Sequence, residues 1–179
     1  LESEAIRDSL LAIAGRIDFS LGGPPVMLAA QPDGRISVNK SKLSQPSDAW
    51  KRSVYLLARR AYHLTLLDVF DQPRIETTCS RRQINAVALQ SLSMLNDQFV
   101  YDQAEHLARQ IAHSHSDDTQ RQISQIYRRI LCRLPDDQEL DLCQRTLSEI
   151  QNDDQLDNVM ALTEICHTLL NTSEFLYRE

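Results

Sequence analysis

Beyond Ser80 the chain is a succession of apolar stripes at helical spacing, and this restricts the fold more than any other feature. Leu92 and Leu95, with Val87, recur at the spacing of a helix that begins between Ile84 and Ala88 and turns these three inward. Asn96-Asp97 interrupts it, and Asp97 can N-cap a new helix in which Val100, Ala104, Leu107 and Ile111 share a face. After the loop His113–Asp117, a helix from about Asp118 to Arg133 carries Ile123, Ile126, Tyr127, Ile130 and Leu134 on one stripe, and Pro135 ends it. Asp136 and Glu139 then form a capping box for a helix bearing Leu140, Cys143, Leu147 and Ile150. The last helix, Leu156 to about Leu170, is apolar on nearly two faces and is expected at the centre.

The N-terminal part follows different rules. Residues 4 to 14 read as an amphipathic helix, with Ile6, Leu10, Ile13 and Ile17 on one side and Glu4, Arg7 and Asp8 on the others. Ser3 is the expected N-cap and Gly15 the stop. Gly22-Gly23-Pro24-Pro25 breaks any regular element, and Pro32-Asp33-Gly34 is a turn across which Val26–Leu28 and Ile36–Val38 can pair as short strands. Asn39 to Asp48 reads as loop. Val54–Leu57 has the composition and length of a further strand, and His63–Phe70 forms one or two helical turns before Asp71-Gln72-Pro73. The expected fold is mainly α: a bundle of four to six helices with a small antiparallel β element in the N-terminal half. Residues 1–82 are mixed and turn-rich, residues 83–179 helical, and the whole reads as a single domain.

Composition narrows the function classes. Of 179 residues 42% are hydrophobic and 25% charged, enough for a substantial core, and four Gly and six Pro speak against a disordered or collagen-like chain. The apolar runs are too short to cross a bilayer, and no basic segment precedes an apolar one at the N-terminus, so neither an anchor nor a signal peptide is expected in this chain. A net charge of −6 weighs against general nucleic-acid binding. The charge is uneven: residues 1–90 hold 12 Lys and Arg against 9 Asp and Glu, residues 91–179 hold 7 against 16. A basic half and an acidic half of one domain would attract each other.

Several segments, in order, resemble a known family. They are residues 5–11 (AIRDSLL), 22–26 (GGPPV), 52–56 (RSVYL), 70–73 (FDQP), 79–82 (CSRR), 89–100 (LQSLSMLNDQFV), Arg133-Leu134-Pro135 with Glu139 behind it, and 169–177 (LLNTSEFLY). Their order and spacing are similar to the C-terminal part of the planctomycete-specific domain of unknown function. That module sits at the C-terminal end of large proteins that often also carry a planctomycete-type cytochrome-c-like domain. The resemblance implies that the chain is the C-terminal fragment of a larger, exported protein of periplasm or envelope. Cys132 stands where relatives tend to have Gly, and Gln98 where they often have Pro.

Candidate chemistry is sparse. Covalent haem needs Cys-x-x-Cys-His, but Thr163 occupies the first position before Cys166-His167, so no cofactor is expected. Cys143 and Cys166 fall on apolar stripes and read as small buried hydrophobes. His106, His113 and His115 lack further ligands at recognisable spacing, and Asp153, Asp154 and Asp157 suit helix-end capping better than a calcium loop. Cys79, followed by Arg81 and Arg82, is either a reactive thiol or a structural one. The Arg pairs 59-60, 81-82 and 128-129 suit solvated faces better than a polyanion stripe. The polar residues of the motifs, Arg52, Tyr55, Asp71, Arg82, Gln90 and Asn96, together with Cys79, are the candidate ligand-binding set. Arg52, Asp71 and Arg82 could converge on an anion or a polyanionic carbohydrate. Alternatively, Asp71 pairs with an arginine to lock the irregular half onto the helical one. The leading expectation is a non-catalytic assembly or interaction module whose partners are other domains of the parent or envelope proteins, without nucleic acid or membrane insertion.

Overall fold

A computed structural model describes residues 1–59, 62–73, 88–115, 118–153 and 157–177. It is mainly helical, with one two-stranded antiparallel sheet in the N-terminal half. Eight α-helices occur among the described residues: α1 (Ser3–Ile13), α2 (Thr65–Val69), α3 (Ala88–Asn96), α4 (Gln98–Ser114), α5 (Thr119–Ile130), α6 (Asp137–Asp153), α7 (Asn158–Leu170) and α8 (Ser173–Leu176). The strands are β1 (Leu28–Ala30) and β2 (Ile36–Val38). The chain divides into two compact units, Leu1–Ser93 and Met94–Glu179. The charge divides with them, because every acidic and basic residue of the first 90 lies in the first unit and no charged residue stands between 91 and 93.

In the first unit α1 packs on α2. Its buried residues are Ser3, Ile6, Arg7, Leu10 and Leu11, with Ala14 one turn on, so the inward face is centred close to Arg7. That corrects the sequence expectation, in which Arg7 faces solvent and Ile13 and Ile17 lie inward; the last two are only half-buried. Ser3 is buried inside the helix and Glu2 takes the N-cap position, without a side-chain cap. Gly15 ends α1 as expected, at φ 68°, a left-handed conformation that glycine adopts without a Cβ clash. β1 and β2 pair across the Pro32-Asp33-Gly34 turn with Ala29 opposite Ser37, two residues later in β1 than the pattern suggests. Thr65 Oγ1, at the start of α2, accepts the Ile36 N–H at 2.8 Å and ties the hairpin to that helix.

Val54–Leu57 does not form the expected strand. Ser53–Tyr55 is a 3-10 turn, and three such turns, over Lys40–Lys42, Pro46–Trp50 and Ser53–Tyr55, carry the chain from β2 toward α2. Pairing with the glycine-proline segment is limited to isolated bridges. Asp18 N–H donates to Trp50 O at 2.9 Å, Val26 N–H to Tyr55 O at 2.8 Å and Leu57 N–H to Val26 O at 2.9 Å. Pro24 and Pro25 immediately before Val26 offer no N–H to extend this ladder.

In the second unit α4 and α7 form the central pair, with α5 and α6 against α7. Ala104, Leu107 and Ala108 of α4 and Ala161, Leu162 and Cys166 of α7 are fully excluded from water. Small side chains on both helices allow the close approach that such a pair requires. Asp97, Asp118 and Asp157 cap α4, α5 and α7 by accepting the N–H groups of Phe99, Arg121 and Met160. The Asp136/Glu139 capping box forms in both directions, at 2.8 and 2.9 Å. Leu134, read as part of the α5 stripe, is exposed, since the helix ends four residues earlier.

Cys132 ends α5 at φ 58°, a left-handed position that glycine fills at no steric cost and other L-residues occupy at about 1 kcal/mol. Cys132→Gly therefore raises the unfolding free energy of the second unit by about 1 kcal/mol, read as a higher midpoint in equilibrium denaturant unfolding. An unchanged or lower midpoint contradicts this reading of the turn.

Candidate functional site

The most concentrated polar assembly in the first unit is built around α1. Arg7 is almost completely buried. Its guanidinium donates to the carbonyls of Lys51 and Ala49, both at 2.9 Å, and to Ser53 Oγ at 3.2 Å. Asp8 stands beside it: Oδ1 accepts the Ser53 N–H and Ser53 Oγ–H, each at 2.7 Å, and lies 3.7 Å from Arg7 Nη1. Burial lowers the Arg7 pKa to about 10, and the Asp8 charge acts the other way. The guanidinium is still charged at neutral pH.

Lys51, Tyr55 and Arg16 extend this assembly toward Gly22 and Trp50. Lys51 is buried, with its ammonium 3.3 Å from Asp48 Oδ1 and 3.5 Å from the Gly22 carbonyl. A Cβ on Gly23 would stand 3.0 Å from that ammonium, and Gly23 has φ 92°, so both space and conformation call for glycine there. Tyr55 Oη accepts the Gly22 N–H at 3.1 Å. Arg16 lies over the Trp50 ring, 4.3 Å from its centroid. The residues thus interlock α1, the Gly-Gly-Pro-Pro segment and the 3-10 turns. Ser53 Oγ is engaged by an arginine and a carboxylate, and the arrangement holds the backbone of residues 49–53 against α1.

The candidate residues named from sequence fall into three places. Arg52 and Tyr55 border this assembly, and the acid beside Arg52 is Asp8, 3.7 Å from Nε. Asp71 and Gln90 serve the C-terminus of α2: Asp71 adopts φ 58° and its N–H returns to Asp68 O, while buried Gln90 donates to the Val69 carbonyl at 3.3 Å. Asn96 is the exposed last residue of α3. Cys79 and Arg82 lie outside the described residues. Sequence reasoning missed Arg7, Asp8, Lys51 and Ser53. The available signal was the spacing of Ile6, Leu10, Leu11 and Ala14, whose shared face contains position 7.

The second unit has its own charged clamp. Arg133 pairs bidentately with Glu139 at 2.6 and 2.7 Å and with Glu174 at 2.7 and 2.8 Å, and it sits 5.4 Å from the Tyr127 ring centroid. It joins the end of α5 to the start of α6 and to α8. Elsewhere, His167 Nε2 donates to the Met94 carbonyl at 3.3 Å, and its ring meets Tyr101 edge-on. Cys143 and Cys166 are buried as expected, and burial pushes both thiols up. No three His, Cys, Asp or Glu side chains stand together as metal ligands among the described residues.

The outward face of α3 differs in kind. Leu89, Leu92 and Leu95 are 59%, 56% and 53% exposed, whereas Gln90 and Met94 are buried. The expectation that Leu92 and Leu95 point inward is thus reversed, because the helix is anchored by the face carrying positions 90 and 94. Val87 lies outside the described residues.

The chain belongs to the PSD1 family, described as a protein of unknown function (DUF1553), whose model matches residues 1–147. No curated protein and no solved structure matches it. Glu174, one half of the Arg133 clamp, lies beyond the matched span.

Arg133 holds the Glu139 carboxyl down to about 2 from an ordinary value of 4.5, by hydrogen bonds first. The sign follows from linkage: the pair's contribution is complete above about 4.5 and disappears as pH falls through about 2. Denaturant midpoints measured across that window fall more steeply for the native chain than for Glu139→Gln. Parallel curves for the two would remove the clamp from the account.

Proposed function

We propose that the chain is a non-catalytic assembly or interaction module of a larger exported protein, and that α3 presents its contact face. The observation that carries this reading is the leucine stripe of α3, three residues each more than half exposed on one helix face. Apolar side chains grouped at one face mark contact surfaces far better than the same number scattered singly. The charged groups support it from the other direction. Arg7, Asp8, Arg52 and Lys51 in one unit, and Arg133 with Glu139 and Glu174 in the other, hold elements of their own unit together. No helix among the described residues is long and apolar enough to cross a membrane. The exported setting and planctomycete origin rest on the resemblance of the ordered motifs.

A photo-crosslinking residue at position 92 of the protein in its native cells tests this. The expected result is intermolecular adducts that Leu89→Glu/Leu95→Glu removes, with few from the same probe at exposed Gln120 on α5. Adducts confined to the chain itself, or equally abundant from position 120, contradict the proposal.

A further inference from the structure

The sequence holds one Asp-Gly step, Asp33-Gly34, and it stands at the tip of the β1–β2 hairpin. Residues Gln31 to Arg35 are all exposed, and a Cβ on Gly34 would meet nothing within 4 Å, so water reaches this peptide from outside. Asp33 Oδ1 accepts the Arg35 N–H at 3.0 Å, which folds the carboxyl back alongside the Asp33–Gly34 peptide. Glycine puts no side chain in the way of an approach to that peptide nitrogen. The Asp33 carboxyl carbon and the Gly34 nitrogen are the two atoms that closure of a cyclic imide would join.

We infer that Asp33-Gly34 is a site of spontaneous backbone isomerisation and that Arg35 is the residue that restrains it. In the first step the Gly34 nitrogen loses its proton and attacks the Asp33 carboxyl carbon. The new C–N bond closes a succinimide, a carboxyl oxygen leaves as water, and nothing is oxidised or reduced. Water then adds to one of the two imide carbonyls. Breaking the bond between the nitrogen and the original backbone carbonyl leaves the chain running through the side-chain carbon, as isoaspartate. Breaking the other restores aspartate. One water is lost and one is regained.

Both reacting groups are held back in the native turn. The Arg35 N–H binds Oδ1 and its Nε donates to Oδ2 at 2.7 Å, and these bonds, the backbone one first, hold the Asp33 carboxyl below its ordinary value. An ionised carboxyl is a poor electrophile, because its oxygen must be protonated to leave as water. The Gly34 N–H is itself given to the Gln31 carbonyl at 3.0 Å, which closes the turn. The Arg35 and Asp33 side chains are 50% and 47% exposed, so their pairing slows the reaction without abolishing it. Isoaspartate adds one carbon to the backbone between the paired strands. That works against the register of Ala30 opposite Ile36 and against the Ile36 bond to Thr65 that ties the hairpin to α2.

Ageing of the full chain for weeks at neutral pH and physiological temperature tests the inference. Isoaspartate is located by peptide mass spectrometry with electron-transfer fragmentation, and counted by methyl transfer from S-adenosylmethionine with an isoaspartyl methyltransferase. The expected result is isoaspartate at position 33, formed about threefold faster or more in Arg35→Met, with circular dichroism unchanged. Arg35→Lys, which restores the charge, returns the rate toward that of the native chain. The same chain held unfolded in urea, where the turn is lost, outpaces the native one. Amide exchange at Ile36 rises in the isomerised fraction alone. Isoaspartate absent from position 33 in both the native chain and Arg35→Met, or formed equally fast with and without Arg35, would overturn the inference.

Discussion

The first unit depends on one buried charge. Arg7 sits on the inward face of α1, where an unpaired guanidinium would cost several kcal/mol of desolvation. Its planar fork offers donors in fixed directions, and the 49–53 segment supplies two carbonyls and a hydroxyl to meet them. Asp8 completes the arrangement by binding the Ser53 amide and hydroxyl. A segment with almost no regular hydrogen bonding of its own is thereby assigned one place on α1. The Gly-Gly-Pro-Pro stretch is in turn held by Lys51, within that segment, and by Tyr55, two residues beyond it.

The second unit is organised by the opposite means. Its helices are specified by apolar periodicity and aspartate caps, and polar contacts such as the Arg133 clamp fasten the ends of α5, α6 and α8. Truncating a surface ion pair ordinarily costs little, whereas removing one member of a buried pair leaves the other stranded. The two units should therefore respond very differently to loss of a single arginine.

This contrast explains what could be read in the sequence. Helices α4 to α7, the Asp97 cap and the Asp136/Glu139 box are local features, decided within a few residues, and were legible, whereas α8 with its Thr172 cap was not. The β1–β2 hairpin and the stop after α2 were legible too. The inward position of Arg7 was not, because its acceptors lie more than 40 residues away in sequence and periodicity alone cannot show that a charge will be matched. Val54–Leu57 reads as a strand by composition, but the prolines opposite it restrict pairing to single bridges. For α3 hydrophobicity alone points to the wrong face: it turns the leucines inward, whereas Gln90, satisfied by the Val69 carbonyl, takes a buried position. Of the candidate set, Asp71 and Gln90 stand at the end of α2 and Arg52 beside an acid on α1, while Cys79 and Arg82 lie outside the described residues.

The central claim, that Arg7 fixes the irregular segment on α1, is tested most directly by amide hydrogen exchange in the native chain and in Arg7→Met, which keeps most of the side-chain volume. The account predicts that the amides of Asp18, Ser53, Val26 and Leu57 lose protection by about 100-fold, the equivalent of roughly 3 kcal/mol, while Leu107 in α4 is unaffected. Protection of those four amides unchanged by the substitution would contradict it.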